Sequence, residues 1–370
     1  MKNTTEQFFV IVPPGFESTC AKELAQWVDA PLTICHGGIT FAGKLRDLYL
    51  ANLWLRCASR VLVRLDSFNC RDFPTLHRKS LRLPWGRFIK SGRPLTLRVT
   101  CHGSRLIHSD RVAETIEKAI HKALGTTATD SNVGQECQTI FVRLDDDTCT
   151  ISVDSSGDLL HKRGYRVKST AAPLRETLAA GCLLHCNWHG QTPLWDPFCG
   201  SGTFPIEAAM IAANIPPGNQ RTFSFMNWPG FRQGLWSALI SEANKLKRDT
   251  VVTISGSDLN EGALSAAQQN ANQAGVKTMI QFYQHDAFSP AETFDEGLLI
   301  CNPPYGERLA AKFPPAKLLK KLAQQLKDSP KVATAIILPH DKQMPQNTQL
   351  NFSNGGLDVA LYSTKKSRTP

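Results

Sequence analysis

No stretch of the 370 residues approaches the ~18 uninterrupted apolar residues that a membrane-spanning helix needs, which excludes a membrane-embedded role for any helix read from this sequence. The opening MKNTTEQFFVIVPP lacks both the basic-then-apolar order of a secretory signal and the Arg/Ser-rich pattern of a transit peptide, so a cytoplasmic chain is expected. Eleven cysteines, an odd number, include no C-x-x-C pair, and the histidines form no H-x-x-H or H-E-x-x-H pattern. A metal site or a disulfide framework is therefore not expected, and the thiols read as small buried side chains. Also missing are the G-x-G-x-x-G register of dinucleotide folds and the GK[ST] of phosphate loops, internal repeats and low-complexity tracts. The length suits two or three domains, each with its own apolar centre.

What is present is a localised charge. The net charge is +10, and between Arg56 and Arg111 thirteen Lys and Arg face three acids, Asp66, Asp72 and Asp110. That one stretch carries an excess equal to the whole imbalance. Its Arg71, Arg78, Lys79, Arg82, Arg87, Lys90 and Arg93 are interleaved with Phe73, Trp85 and Phe88, a composition suited to phosphate contacts with base stacking and equally to a solvated basic face.

The first ~65 residues alternate in the order βαββαβ: FFVIVPP, FESTCAKELAQWV, LTICH, GITFAG, KLRDLYLANLWL, RVLVRL. This order predicts a ferredoxin-like split motif over residues 1–65. A second α+β module over 66–156 follows, with a strand in LTLRVTCHG, a helix in SDRVAETIEKAIHKAL ending near Gly125, and two strands around the acidic turn of TIFVRLDDDTCTISVD. Past residue 157, a basic linker and an Ala/Leu helix lead into strand-helix repeats: TPLWDPF, VTISGSDL, MIQFYQHDA, GLLICNPP and VATAIILPH, with helices in TFPIEAAMIAA, EGALSAAQQNANQAG and AKLLKKLAQQL. Such alternation predicts an α/β domain with a Rossmann-like parallel sheet over 157–370. A terminal hairpin turns at Gly355 and Gly356.

Four signals stand at successive strand ends. DPFCGSGTF, Asp196 to Phe204, is a glycine-rich turn whose Gly200 and Gly202 allow close ligand approach and whose following helix N-terminus favours a carboxylate. Asp258 ends the second strand, where a carboxylate can accept both hydroxyls of a ribose, and Asp286 repeats that placement on the third, where it can accept from an adenine amine. The fourth strand ends in NPPY, Asn302 to Tyr305. An amine on a planar ring is a poor nucleophile, because its lone pair is delocalised into the ring. The oxygens of Asn302 and of the Pro303 carbonyl can hold such an amine with its lone pair turned to a donor. Tyr305 can stack on the ring, and Pro303 and Pro304 stiffen the turn.

With HKRGYR (161–166), APLRETLAAG (172–181), DPFCGSGTFPIEAA (196–209) and NPPYGERL (302–309), the sequence resembles the THUMP-containing class I methyltransferases across essentially its whole length. Within that group it is similar to the bacterial 23S ribosomal RNA guanine-N2 methyltransferases. The resemblance implies S-adenosylmethionine as donor, with Asp196, Cys199, Gly200, Ser201, Gly202 and Thr203 at its methionine end. It also implies that Ala172, Pro173 and Leu174 close over it, and that Asp258 and Asp286 hold its ribose and adenine. Asn302, Pro303, Pro304 and Tyr305 match the target-amine motif, and residues 66–156 correspond to an RNA-gripping THUMP domain. The helix after the glycine turn departs from the family in reading FPIEAA where leucines are commoner. Some members carry a second methyltransferase domain, which is not expected within these residues.

In HKRGYR, His161, Lys162, Arg163 and Arg166 fit either RNA phosphates or acids across the domain junction, with the second reading favoured. The acceptor stays open among guanine N2, adenine N6 on nucleic acid and a protein glutamine. A non-catalytic RNA-binding assembly factor is the further alternative, and monomer or homodimer is undecided.

Overall fold

A computed structural model describes residues 5–126, 136–169, 173–289, 294, 296–304, 321–322, 331–340 and 349–363. The N-terminal elements follow the predicted order: β1 (Glu6–Ile11), α1 (Glu17–Leu24), β2 (Leu32–Cys35), β3 (Gly38–Gly43), α2 (Leu45–Trp54), β4 (Arg60–Asn69). In β1, Phe8 and Val10 are buried under the helices while Gln7 and Phe9 face the other way, the period-2 alternation of a half-covered sheet. There follow α3 (Phe73–Leu81), β5 (Leu95–His102), α4 (Ser109–Leu124), β6 (Gln138–Asp145) and β7 (Thr148–Asp154). The Asp72 side chain caps α3 by accepting from the Thr75 amide at 2.7 Å, and Gly125, at φ 65°, ends α4.

These strands form one seven-stranded sheet, ordered β2-β3-β1-β4-β7-β6-β5. The ten-residue β4 joins its halves: Arg60–Arg64 pairs with β1, and Leu62–Asn69 pairs with β7, with a register shift between Arg64 and Asp66. The predicted module boundary near residue 65 thus falls at a bulge inside a shared strand.

The C-terminal half holds α5 (Glu176–His185), β8 (Leu194–Asp196), α6 (Thr203–Ala212), α7 (Gln233–Lys245), β9 (Ile254–Asp258), α8 (Glu261–Gln273), β10 (Ile280–Gln284), β11 (Glu296–Cys301), β12 (Lys331–Pro339), β13 (Gln349–Asn354) and β14 (Leu357–Ser363). Its sheet runs β10-β9-β8-β11-β12-β14-β13, the first five parallel and β14 antiparallel to both neighbours. Left-handed Gly355 and Gly356 make the expected hairpin turn. Chain order reverses between β8 and β11, which opens a crevice at their carboxyl ends. The predicted helix AKLLKKLAQQL lies outside the described residues, apart from Lys321 and Leu322.

Between α6 and β9 runs an aromatic segment that strand-helix alternation does not anticipate. Phe225 stacks on Tyr49 of α2 (centroids 4.4 Å apart), Trp228 meets Phe88 edge-on at 4.9 Å, and the Trp228 indole donates to Gln138 at 2.8 Å. This segment straps the C-terminal half to the N-terminal sheet. Beside it lies a buried polar seam. Glu23 accepts from the Arg56 and Cys57 amides, Arg56 donates to the Ile215 carbonyl at 2.7 Å, and Tyr165 donates to Glu207 at 3.1 Å. Buried charges on this scale are tolerated only when paired or hydrogen-bonded, so the seam fixes how the halves meet.

Candidate cofactor and amine site

Asp196, the last residue of β8, is 2% exposed and accepts from the Phe198 amide at 3.1 Å. Burial, reinforced by the nearby Asp258 charge, pushes its carboxyl well above the usual carboxylate range. The turn that follows needs its glycines. Gly200 and Gly202 have φ of 52° and 85°, and a Cβ on Gly202 would lie 3.0 Å from that of Ala267 on α8. Cys199 is buried, its amide donating to the Ser257 carbonyl of β9 at 2.9 Å, and α6 starts at Thr203 with its N-terminus behind the turn.

Asp258, at the end of β9, accepts from the Gly200 amide at 3.0 Å and the Asn260 amide at 2.9 Å, one on each carboxylate oxygen. Each oxygen keeps a second lone pair, so the carboxylate can still accept from two hydroxyls. The Gly200 amide is thereby committed to Asp258. Asp286, in the turn after β10, accepts from the Phe288 amide at 2.9 Å.

Arg166 organises the near side of this turn. Its guanidinium donates to Glu176 at 2.7 Å, to the Ser201 and Thr203 hydroxyls at 2.9 Å each, and to the Leu174 carbonyl at 3.2 Å. Arg163 in turn lies 3.6 Å from buried Glu207 and donates to the Arg56 carbonyl. Both arginines of HKRGYR therefore serve the internal junction, while Lys162 pairs with Asp158 at the surface. Buried Asn270 of α8 adds a second brace, accepting from the Val167 and Lys168 amides and donating to the Ser201 carbonyl at 3.1 Å. Sequence reasoning missed Glu176 and Asn270. The only local signals are an acid in the first turn of a helix and an amide among the small residues of α8. Leu174 is buried and Pro173 half-buried, whereas Ala172 lies outside the described residues.

Asn302 directly follows β11, beside β8. Its side-chain oxygen Oδ1 is buried with no hydrogen-bond partner among the described residues. Pro303 is buried, Pro304 exposed, and Tyr305 lies outside the described residues. His285, unanticipated, is similar: its Nε2 is buried without a partner among the described residues, and its ring lies 6.2 Å from Trp195 of β8. Its sequence signal, adjacency to Asp286, is weak.

The basic stretch needs correcting in two places. Arg93 is buried and spends its guanidinium on the Glu136 carbonyl, Gln138 and Ser224, so it is not an RNA contact. Trp85 and Phe88 are buried in the core and cannot stack on bases, because the loop after α3 folds its apolar side inward. Arg78, Arg82, Arg87 and Lys90 are exposed, with Arg87 pairing with Glu6. Arg71 is exposed and donates to Asp147, while Lys79 lies over the Phe68 ring.

Residues 163–354 match the family described as RMKL-like, methyltransferase domain; 7–62 match the RlmL ferredoxin-like domain, and 70–154 the THUMP domain. The chain belongs to the RMKL-like methyltransferases. It is 32% identical to slr0064 of Synechocystis sp. over 97% of this chain and 96% of that one. It is also 32% identical to the ribosomal RNA large subunit methyltransferase K/L of Photobacterium profundum, over 96% of this chain and 52% of that protein. The chain thus spans about half the length of that K/L relative. Among solved structures, SMU.472 complexed with SAH superposes with a TM-score of 0.87 at 28% identity, each chain fully covered. S-adenosylmethionine is the donor of such enzymes, and the crevice fits it. A left-handed glycine turn before a helix N-terminus suits its amino-acid end, and Asp258 retains lone pairs for a diol.

Proposed function

We propose that the chain transfers the methyl group of S-adenosylmethionine to the exocyclic N2 amine of a guanine in large-subunit ribosomal RNA. The observation that carries this reading is the buried, unpartnered Oδ1 of Asn302 at the end of β11, an acceptor kept in place for a donor that the described residues do not supply. Leaving such an atom unsatisfied costs roughly 1–3 kcal/mol, and an arriving amine recovers it. S-adenosylmethionine, when bound, supplies an electrophilic methyl. Asn302 and the Pro303 carbonyl accept from the amine and turn its lone pair outward, Asp258 and Asp286 orient the donor, and Arg166 holds the turn between them. Positioning and electrostatics then suffice, with no covalent nucleophile. A paired base cannot present its amine to this crevice, so the guanine enters extruded or from a single strand. The RNA substrate rests on the THUMP match and on the names of the K/L relatives.

A second reading has its own support. A predicted N6-adenine-specific DNA methylase from Listeria monocytogenes superposes with a TM-score of 0.86 at 29% identity, and an Asn302-type acceptor serves either ring amine. Mass spectrometry of nucleosides from ribosomal RNA and DNA of cells with and without the gene separates the two. Loss of one N2-methylguanosine, restored by the purified protein and labelled donor, is the expected result. Unchanged RNA with loss of N6-methyladenine from DNA overturns it in favour of the second reading.

A further inference from the structure

The catalytic crevice opens at the carboxyl ends of the parallel strands, but a cavity of about 550 Å³ lies at their other ends. It is walled by α1 and the end of α2 on one side, and on the other by the C-terminal ends of α5 and α6 and the loop before β9. Its volume falls within the range of small-molecule sites.

Three features of its lining point to a ligand. Trp27 and Trp54, both lining the cavity, stack nearly parallel with centroids 3.9 Å apart; Trp54 is buried and Trp27 half-exposed. Lys22 and Arg248, both exposed and both lining it, have no ion-pair partner among the described residues. Arg56 adds a third cation in the wall, 6% exposed, with its Nη1 lacking a partner among the described residues. The one lining acid, Glu23, has both oxygens committed to the Arg56 and Cys57 amides. An aromatic side chain beside two exposed cations, Lys22 and Arg248, with no ion-pair partner among the described residues suits a planar ring bearing a phosphate.

We propose that this cavity is a second ligand site that takes a nucleotide, its base stacked on Trp27 and its phosphate held by Lys22 and Arg248. The site is independent of the methyl-transfer reading, being built from residues at the opposite end of the sheet.

The test uses the full chain saturated with S-adenosylhomocysteine, with GMP and AMP titrated against tryptophan fluorescence. Saturable quenching is expected, about tenfold weaker for the unphosphorylated nucleosides. Lys22→Ala with Arg248→Ala should abolish that preference, and Trp27→Leu should weaken binding at least about tenfold. Asn302→Ala should leave it unchanged, since it alters only the other site. The double cation variant changes exposed side chains, so its folding is secure if Trp27→Leu proves unstable. A short 5′-phosphorylated RNA binding more tightly than GMP, with the same sensitivity to the variants, identifies an RNA chain as the source. Binding of GMP alone identifies a free nucleotide. No saturable binding in the millimolar range, or binding unmoved by both variants, overturns the proposal.

Discussion

Replacing Arg166 separates two roles that its four hydrogen bonds combine. Arg166→Ala strands Glu176, whose side chain is almost fully buried, and removing one partner of such a pair costs about 3–5 kcal/mol of stability. The same change frees the Ser201 and Thr203 hydroxyls on either side of Gly202 and the Leu174 carbonyl. A glycine turn left, among the described residues, with the Cys199, Gly200 and Gly202 amides and Asn270 would then sample other conformations. Affinity for S-adenosylhomocysteine should fall at least about tenfold, equivalent to about 1.4 kcal/mol of lost pre-organisation. Two further variants divide the effect. Arg166→Ala with Glu176→Gln removes the stranded charge and should recover most of the stability while leaving affinity low. Arg166→Lys keeps a cation for Glu176 but cannot span two hydroxyls and a carbonyl, so it should fold nearly as well as the parent and still bind the product weakly. Urea denaturation and titration calorimetry read the two quantities separately. If stable Arg166→Lys binds S-adenosylhomocysteine within about twofold of the parent, the turn does not depend on this clamp and the reasoning fails.

Asn302→Ala should abolish methyl transfer while calorimetric affinity for S-adenosylhomocysteine stays near that of the parent; retained turnover would remove Asn302 from the amine site. Asp258→Ala should do the reverse to binding, lowering cofactor affinity by at least about tenfold, since both the diol acceptor and the tie to Gly200 go. Joint replacement of Arg78, Lys79, Arg82 and Arg87 by Ala should weaken RNA binding and flatten its salt dependence, by about 0.7 for each single-strand phosphate no longer neutralised. An unchanged slope would return these side chains to a solvated face. Burial holds the His161 imidazole down to about 4, against about 6.5 in an unfolded chain, so the folded state resists protonation there. The sign follows: this contribution is present above pH ~6.5 and is lost as pH falls toward 4. His161→Gln should therefore make the acid limb of the stability curve shallower, by at most about 1.4 kcal/mol per pH unit and less in practice, because the ring is partly exposed. An identical acid limb in the two proteins would refute it.

The order of elements was legible because alternation is local. FFVIVPP and GITFAG read as strands from their period, and the glycine turn, the two acids and NPP are short motifs at strand ends. What was not legible depends on residues far apart in sequence. That β4 belongs to two modules follows from strand pairing across some ninety residues, which no periodicity of RVLVRLDSFN reveals. Arg93 and Arg78 look alike in sequence, and only the placement of Gln138 and Ser224 decides that one guanidinium is buried while the other is exposed. Trp85 and Phe88 carry the same lesson, since aromatic residues within a basic run lie inside whenever the chain turns them toward a core. The aromatic strap after α6 escaped notice because it serves neither sheet alone. Its Phe225 and Trp228 have meaning only against Tyr49, Phe88 and Gln138 of the other half. The same holds for Arg166, which the motif HKRGYR marks without assigning. Its partners Glu176, Ser201 and Thr203 lie ten to thirty-seven residues away, and their convergence makes the basic linker part of the cofactor site rather than a connector to it. Arg163 donates to the Arg56 carbonyl in the polar seam and Arg166, three residues on, donates to Ser201 and Thr203, so one short segment ties the junction of the two halves to the glycine turn.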